Sequence, residues 1–294
     1  MEVSQLRYFL AVAESGSFSR AAEACQVAQP SLSQQIQKLE RELRQPLFDR
    51  LPRGAALTEA GARFLPRART IISGFDDARR EIQDAGAENA EPAGTLRIGA
   101  IPTIAPYLMP KTVQRFLKKH PQVDLHLDED VTARLIEKLN SGQLDLVLAA
   151  LPLEGEHIQA QALFKEELVL ALPAKHVLAR GKTVKWAALE TAPFLKLHEM
   201  HCLSQQIEGI CQRKGVETRV AFEGSQLGTV LRMVATGIGV SMVPRMAVSH
   251  EVPGVVFRAM EGVPPTRTVG AAWHLLRYRS RALKAFMELM KTEK

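Results

Sequence analysis

The sequence predicts an all-α N-terminal part with a small β-arm, then a long linking helix, then an α/β C-terminal part. Three observations predict it. Residues 1–57 hold three short helical patterns followed by two extended stretches around an Arg-Gly turn. Residues 59–85 carry apolar side chains at alternating steps of four and three. From Thr95 onward, short apolar runs alternate with amphipathic helical stretches.

Bulk properties set the frame. At 294 residues, 46% hydrophobic and 24% charged, the chain has the profile of a globular protein with two or three cores. The opening MEVSQLRYFLAVAESG has no cationic segment before an apolar one, unlike a signal peptide. No apolar run approaches the roughly 18 residues of a membrane span, so a cytoplasmic location is expected. The net charge is +6, but residues 1–94 hold 12 Lys/Arg against 13 Asp/Glu, and the excess lies beyond them. Any nucleic-acid contact must therefore come from individual cations rather than bulk charge. Three cysteines argue against a structural disulfide framework and leave redox chemistry, metal binding or burial.

Leu6, Phe9, Leu10 and Ala13 define a first helix that ends at Gly16. Ser17 or Ser19 can cap a short second helix, RAAEAC, in which Cys25 is read as a buried small apolar residue. After the turn QVAQ a third helix opens at Pro30, a residue tolerated in a first turn. Leu32, Ile36, Leu39 and Leu43 form its apolar stripe, and Ser31, Ser33, Gln34, Gln35 and Lys38 are expected to lie away from it. A helix with an early Ser/Gln face after a tight turn suits base edges and phosphates in a major groove. PLFDRLPRGAALT then reads as two extended arms with Arg50 and Arg53 at the tip of a wing.

The stretch FLAVAESGSFSRAAEACQVAQPSLSQQIQKLERELRQPLFDRLPRGAALTEAG resembles the winged helix-turn-helix domain of LysR-type transcription regulators over more than fifty residues. The resemblance implies that Gln29, Pro30, Ser31, Ser33, Gln34, Lys38, Arg50 and Arg53 face double-stranded promoter DNA. Glu40 is expected to orient neighbouring cations. Thr58 caps the long helix that follows, Pro66 should kink it, and Phe64, Ala68, Ile71, Phe75, Ala78 and Ile82 trace a coiled-coil seam. The family dimerises through this segment, which puts Phe64, Ile71, Phe75 and Ile82 at a homodimer contact and implies a homotetramer and RNA polymerase as partner. AGAENAEPAG reads as a hinge.

Beyond it, TLRIGA, VDLHL, DLVLAA, ELVLALP, PFLKL, TRVAF, GVSMVP and RTVGAAW read as strands. Residues 106–120, 132–141, 201–214, 225–236 and 280–291 read as helices. The alternation predicts mostly parallel sheets. The LysR resemblance implies two α/β subdomains like periplasmic binding proteins, with crossovers near 165 and 267. The expected domains are 1–58 for DNA binding, 59–94 for dimerisation and 95–294 for effector sensing. Within the last, subdomain I takes 95–165 and 268–294, and subdomain II takes 166–267. No Walker loop, GxSxG or G-x-G-x-x-G occurs, so no enzyme, cofactor or metal of those classes is expected.

LKLHEMHCLSQQIEGICQRKG is the most informative stretch of this half. If Cys202 to Cys211 is one helix, nine residues span roughly 13–14 Å and the thiols sit on opposite faces. A disulfide needs Cα atoms within about 7 Å, so a bond between them would have to unwind the helix. The region resembles the hydrogen-peroxide-sensing OxyR branch of the family, which carries a His-Cys pair and a second cysteine at this spacing. That resemblance implies Cys202 as peroxidatic thiol, Cys211 as resolving thiol, and an activator switched by their disulfide. It places Thr103, Thr132, His201 and Arg267 around the reactive thiol, with a neighbouring cation stabilising the thiolate. The chain departs from the branch at Met200, Ser204, Gln205 and Gly228. The residues leave a second reading open, a regulator gated by a small metabolite contacting Thr103, Thr132 and residues near Gln205.

Overall fold

The structure is a computed structural model that describes residues 1–51, 54–86, 90–249 and 252–292. It divides into two compact units near residue 88.

In the N-terminal unit, α1 (Val3–Ser15) stops at Gly16, whose φ of +62° continues the chain in a left-handed turn. Ser17 caps α2 (Phe18–Ala24) by accepting from the Arg20 N–H, and α3 (Gln29–Leu43) starts with proline in its first turn. Leu6, Phe9, Val12, Leu32, Ile36, Leu39 and Leu47 fill the core. The strands β1 (Phe48–Leu51) and β2 (Gly54–Leu57) pair antiparallel, with Arg50 opposite Ala55. α4 (Glu59–Ala85) is one unbroken helix through Pro66, and the Thr58 hydroxyl caps it by accepting from the Gly61 N–H at 3.0 Å. Gly61 has no substitute: a Cβ there would overlap the Leu47 carbonyl oxygen.

Two expectations need correction here. Phe64 does not belong to an outward seam, because its ring lies 5.1 Å from that of Phe9 and packs on the unit's own core, as does buried Ala68. The outward stripe begins at Ile71 (43% exposed) and continues through Phe75 (47%) and Ile82 (75%). Glu40 serves the backbone rather than cations: its Oε1 accepts from the Leu47 and Phe48 N–H groups at 2.8 and 3.2 Å.

The second unit runs β3 (Gly94–Ala100), α5 (Ala105–Lys119), β4 (Val123–Glu129), α6 (Thr132–Asn140), β5 (Leu146–Leu151) and the long β6 (Ile158–Pro173). Then come β7 (Thr183–Val184), α7 (Ala188–Thr191), β8 (Pro193–Leu197), α8 (Cys202–Arg213), β9 (Arg219–Gly224), α9 (Leu227–Ala235) and β10 (Ser241–Pro244). β11 (Val255–Met260), β12 (Thr266–His274) and α10 (Arg281–Thr292) close the chain. Among the described residues one curled sheet has the order β4-β3-β5-β12-β6-β11-β7, with β10 also on β6, and β8 pairs β9 separately.

The sheet is not mostly parallel. β12 pairs antiparallel with both β5 and β6, and β10 and β11 pair antiparallel with β6. The cause is β6 itself, which begins nine residues before the predicted ELVLALP and changes partners along its length. Its residues 158–167 pair with β12, while 168–173 pair with β10 and β11. One core lies around Leu96, Ile98, Phe116, Leu148 and Phe286; the other lies around Leu170, Phe194, Leu203, Val230 and Met242. No helix among the described residues is long and apolar enough to cross a membrane.

Candidate functional site

In the N-terminal unit, Gln29, Pro30, Ser31, Gln34 and Lys38 are all exposed on α3. Ser33 is not among them. It is 8% exposed and sits beside the apolar stripe, because the Arg50 guanidinium covers it and donates from Nη2 to Ser33 Oγ at 3.1 Å. Arg50 also lies 5.0 Å from the Phe18 ring centre. It is therefore laid back from the strand onto α2 and α3, not held out at a wing tip. Arg53 lies outside the described residues.

In the other unit hydrogen bonds bring Thr103 and Arg267 together, His201 and Cys202 stand together at the start of α8, and Thr132 opens α6. Arg267 on β12 and Glu166 on β6 are directly opposed in register and buried. Arg267 donates from Nε to Glu166 Oε2 at 2.8 Å, from Nη1 to Thr103 Oγ1 at 2.8 Å and from Nη2 to the Thr103 carbonyl at 2.9 Å. Glu166 Oε1 also accepts from the Met246 N–H at 2.7 Å. Arg267, expected among the cations around the pocket, is buried in this geometry, with its charge matched by Glu166 and its donors holding Thr103. Since Thr103 Oγ1 accepts from Arg267, its own hydroxyl proton is left to donate elsewhere.

His201 and Cys202 stand at the start of α8. Burial pushes the His201 imidazole below its ordinary range; a hydrogen bond to the Ser225 backbone opposes this and nearby His198 adds to it. A neutral ring is both a donor and an acceptor. α8 is a single α-helix from Cys202 to Arg213, and its two thiols meet different surroundings. Cys202 is half-buried against the core around Leu96 and Ile98, whereas Cys211 is buried with Leu203 and Ile207 in the other core. Burial, with the Glu208 carboxylate adding to it, pushes the Cys211 thiol up, so it is held protonated. Cys25 is half-buried at the end of α2, and burial raises it likewise.

Buried polar atoms that make no hydrogen bond include Thr132 Oγ1 at the start of α6, and Ser204 Oγ and Gln206 Oε1 on α8. The Gln206 amide donates to the Leu151 carbonyl at 3.4 Å. Gln205 and Met200, two of the departures noted above, are exposed. Among the described residues no group of three or more His, Cys, Asp or Glu could hold a metal ion. Sequence reasoning missed Glu166, although an acid opening an apolar strand is a signal that it needs a buried partner.

Family comparison agrees with this architecture at both ends of the chain. The bacterial regulatory helix-turn-helix family of lysR type matches residues 3–62, and the LysR substrate binding domain matches residues 89–294. The chain belongs to the LysR family. It is 35% identical over 276 residues to the DNA-binding transcriptional dual regulator OxyR of Escherichia coli (strain K12), covering 93% of this chain and 89% of that one. It is 33% identical over 276 residues, with the same coverage, to the hydrogen peroxide-inducible genes activator of Dickeya chrysanthemi. A solved structure of a full-length OxyR variant from Pseudomonas aeruginosa superposes with a TM-score of 0.83 at 32% identity, covering 99% of this chain and 95% of that one. This LysR-type protein is a DNA-binding transcription regulator with an N-terminal helix-turn-helix and an α/β regulatory region.

Proposed function

We propose that this LysR-type regulator senses hydrogen peroxide through Cys202 and Cys211. The single observation that carries the reading is α8, which holds two thiols on opposite faces, in two cores, nine residues apart. At about 1.5 Å rise per residue they are roughly 13–14 Å apart along the helix, about twice the Cα separation a disulfide tolerates. Reduced and oxidised states thus require different folds of the same segment, which is what a switch needs. The name of the Dickeya relative supports the same signal.

The chemistry runs in two balanced steps. The Cys202 thiolate attacks one peroxide oxygen, the O–O bond breaks, and the departing hydroxide takes a proton and leaves as water. Cys202 is then a sulfenic acid, oxidised by two electrons. Cys211 gives up its proton and attacks the Cys202 sulfur; the S–S bond forms, the S–O bond breaks, and that hydroxide leaves as a second water. Cys211 is buried and held protonated while α8 stands, so opening of the helix precedes the second step. Thr103, Thr132 and His201 supply donors around the first thiol, and Arg267 acts through Thr103.

Residues 1–58 bind promoter DNA, with Gln29, Pro30, Ser31, Gln34 and Lys38 facing it, Arg50 anchored on Ser33, and Arg53 contributing a further cation. Residues 59–94 pair two copies through Ile71, Phe75 and Ile82, and dimers pair into tetramers. Residues 95–294 sense the signal in two subdomains, 95–165 with 268–294, and 166–267. The protein works in the cytoplasm on RNA polymerase and is not an enzyme. A metabolite-gated regulator is the second reading, favoured by the unpaired Thr132 Oγ1, Ser204 Oγ and Gln206 Oε1. Cysteine variants decide between them. Cys202→Ser should abolish the response of operator binding to peroxide, and Cys211→Ser should stop at a sulfenic acid open to over-oxidation. A Cys202→Ser protein that still responds would overturn the peroxide reading.

A further inference from the structure

We infer that Lys196 and Glu208 form a clasp that biases the Cys202/Cys211 couple toward the dithiol; this rests on the redox reading above. Lys196 lies on β8, and its side chain is only 9% exposed. Its Nζ donates to Glu208 Oε1 at 2.7 Å and lies 3.3 Å from Glu223 Oε1 on β9 and 3.7 Å from Glu199 Oε1 in the turn before α8. One nearly buried ammonium thus faces three carboxylates from three segments. The hydrogen bond to Glu208 is the largest influence favouring its charged form.

Of the three carboxylates, Glu208 is the one inside the segment that must unwind, six residues after Cys202 and three before Cys211. Closing the disulfide moves the Glu208 backbone away from β8 and breaks the 2.7 Å contact. Glu223 on β9 lies outside that segment, and Glu199 precedes it, so Lys196 keeps carboxylate neighbours in either state. The clasp is therefore made chiefly in the reduced form and weighs on one side of the equilibrium. The couple exchanges as protein disulfide plus two glutathione thiols giving protein dithiol plus glutathione disulfide, with two electrons passing to the protein.

Because Glu208 is partly exposed, solvent screening limits the effect. Glu208→Gln, isosteric and uncharged, should shift the equilibrium constant about three- to tenfold toward the disulfide, at most about 30 mV in midpoint. The test equilibrates full-length wild type, Glu208→Gln, Lys196→Met and the double variant in glutathione buffers, traps thiols by alkylation and weighs the products. The double variant should shift no further than Lys196→Met alone, the mark of a shared contact. Amide exchange across 202–213 in the reduced proteins gives a second readout and should speed up in Glu208→Gln by a similar factor. A wild-type Cys202–Cys211 bond whose midpoint stays within twofold in Glu208→Gln overturns the clasp alone. A wild type that forms no such bond overturns the redox reading and the clasp's role with it, whatever the exchange rates do.

Discussion

Replacing Glu166 by leucine should be one of the most damaging single changes in the regulatory unit. The Arg267 side chain has no exposed surface and that of Glu166 is 5% exposed, so the substitution strands a guanidinium in the interior. Breaking a buried pair from one side costs about 3–5 kcal/mol. Two bonds to Thr103 remain and pull the value toward the lower end, while the Met246 N–H loses its acceptor and adds about 1 kcal/mol. A loss of about 4 kcal/mol is expected. Replacing Arg267 and Glu166 together by leucine removes both charges and leaves the Met246 N–H and the Thr103 oxygens unmatched, for a cost of about 1–2 kcal/mol. The double variant should thus be more stable than Glu166→Leu alone. Both tryptophans, Trp186 and Trp273, lie in this unit, so urea unfolding followed by their fluorescence reports on it directly. A single-variant loss below about 1 kcal/mol, or single losses that simply add in the double variant, would refute the account of the pair.

Three further outcomes follow from other parts of the molecule. Ser33→Ala and Arg50→Ala should weaken operator binding non-additively, because one bond joins them; binding titrations with both variants and the double that give additive losses would separate the two residues. On the proposed pairing, Ile71→Glu and Phe75→Glu should lower the mass measured by light scattering to that of one copy while leaving the N-terminal unit folded, whereas Phe64→Glu should unfold it by burying charge against Phe9; equal effects at all three positions would contradict this division. His201 binds its proton less readily in the fold than in the unfolded chain, so its contribution is present above about pH 6.5 and is lost as pH falls below it. NMR titration should find the His201 ring less than half protonated at about pH 6.5, and a ring half-protonated or more there would remove that contribution.

Much of this architecture is written locally in the chain. Gly16, Ser17, Pro30 and Thr58 punctuate the N-terminal helices as turn and cap chemistry requires, and the spacing of Leu32, Ile36 and Leu39 fixes the buried face of α3. The Cys202–Cys211 helix was legible for the same reason. What escaped was long-range. Spacing alone cannot say whether an apolar stripe meets its own core, as Phe64 does, or a second copy, since both demand the same periodicity. Ser33 is hydrophilic, which by itself points outward; Arg50, seventeen residues later, covers it. The first half of β6, QAQALFKEE, has no continuous apolar run, and its partner β12 lies about a hundred residues on. Lys196 and Glu208 each look like ordinary surface charges until β8 and α8 are packed together.

On the proposed mechanism one segment, Cys202 to Cys211, carries the redox signal. Mapping the three thiols by alkylation and mass spectrometry, before and after sub-stoichiometric hydrogen peroxide, tests it most directly. Cys202 and Cys211 should disappear together into one disulfide-linked peptide pair while Cys25 remains alkylated, and amide protection between residues 202 and 211 should fall in the same sample. Cys202 and Cys211 both remaining open to alkylation, or a disulfide forming while α8 keeps its protection, would contradict it.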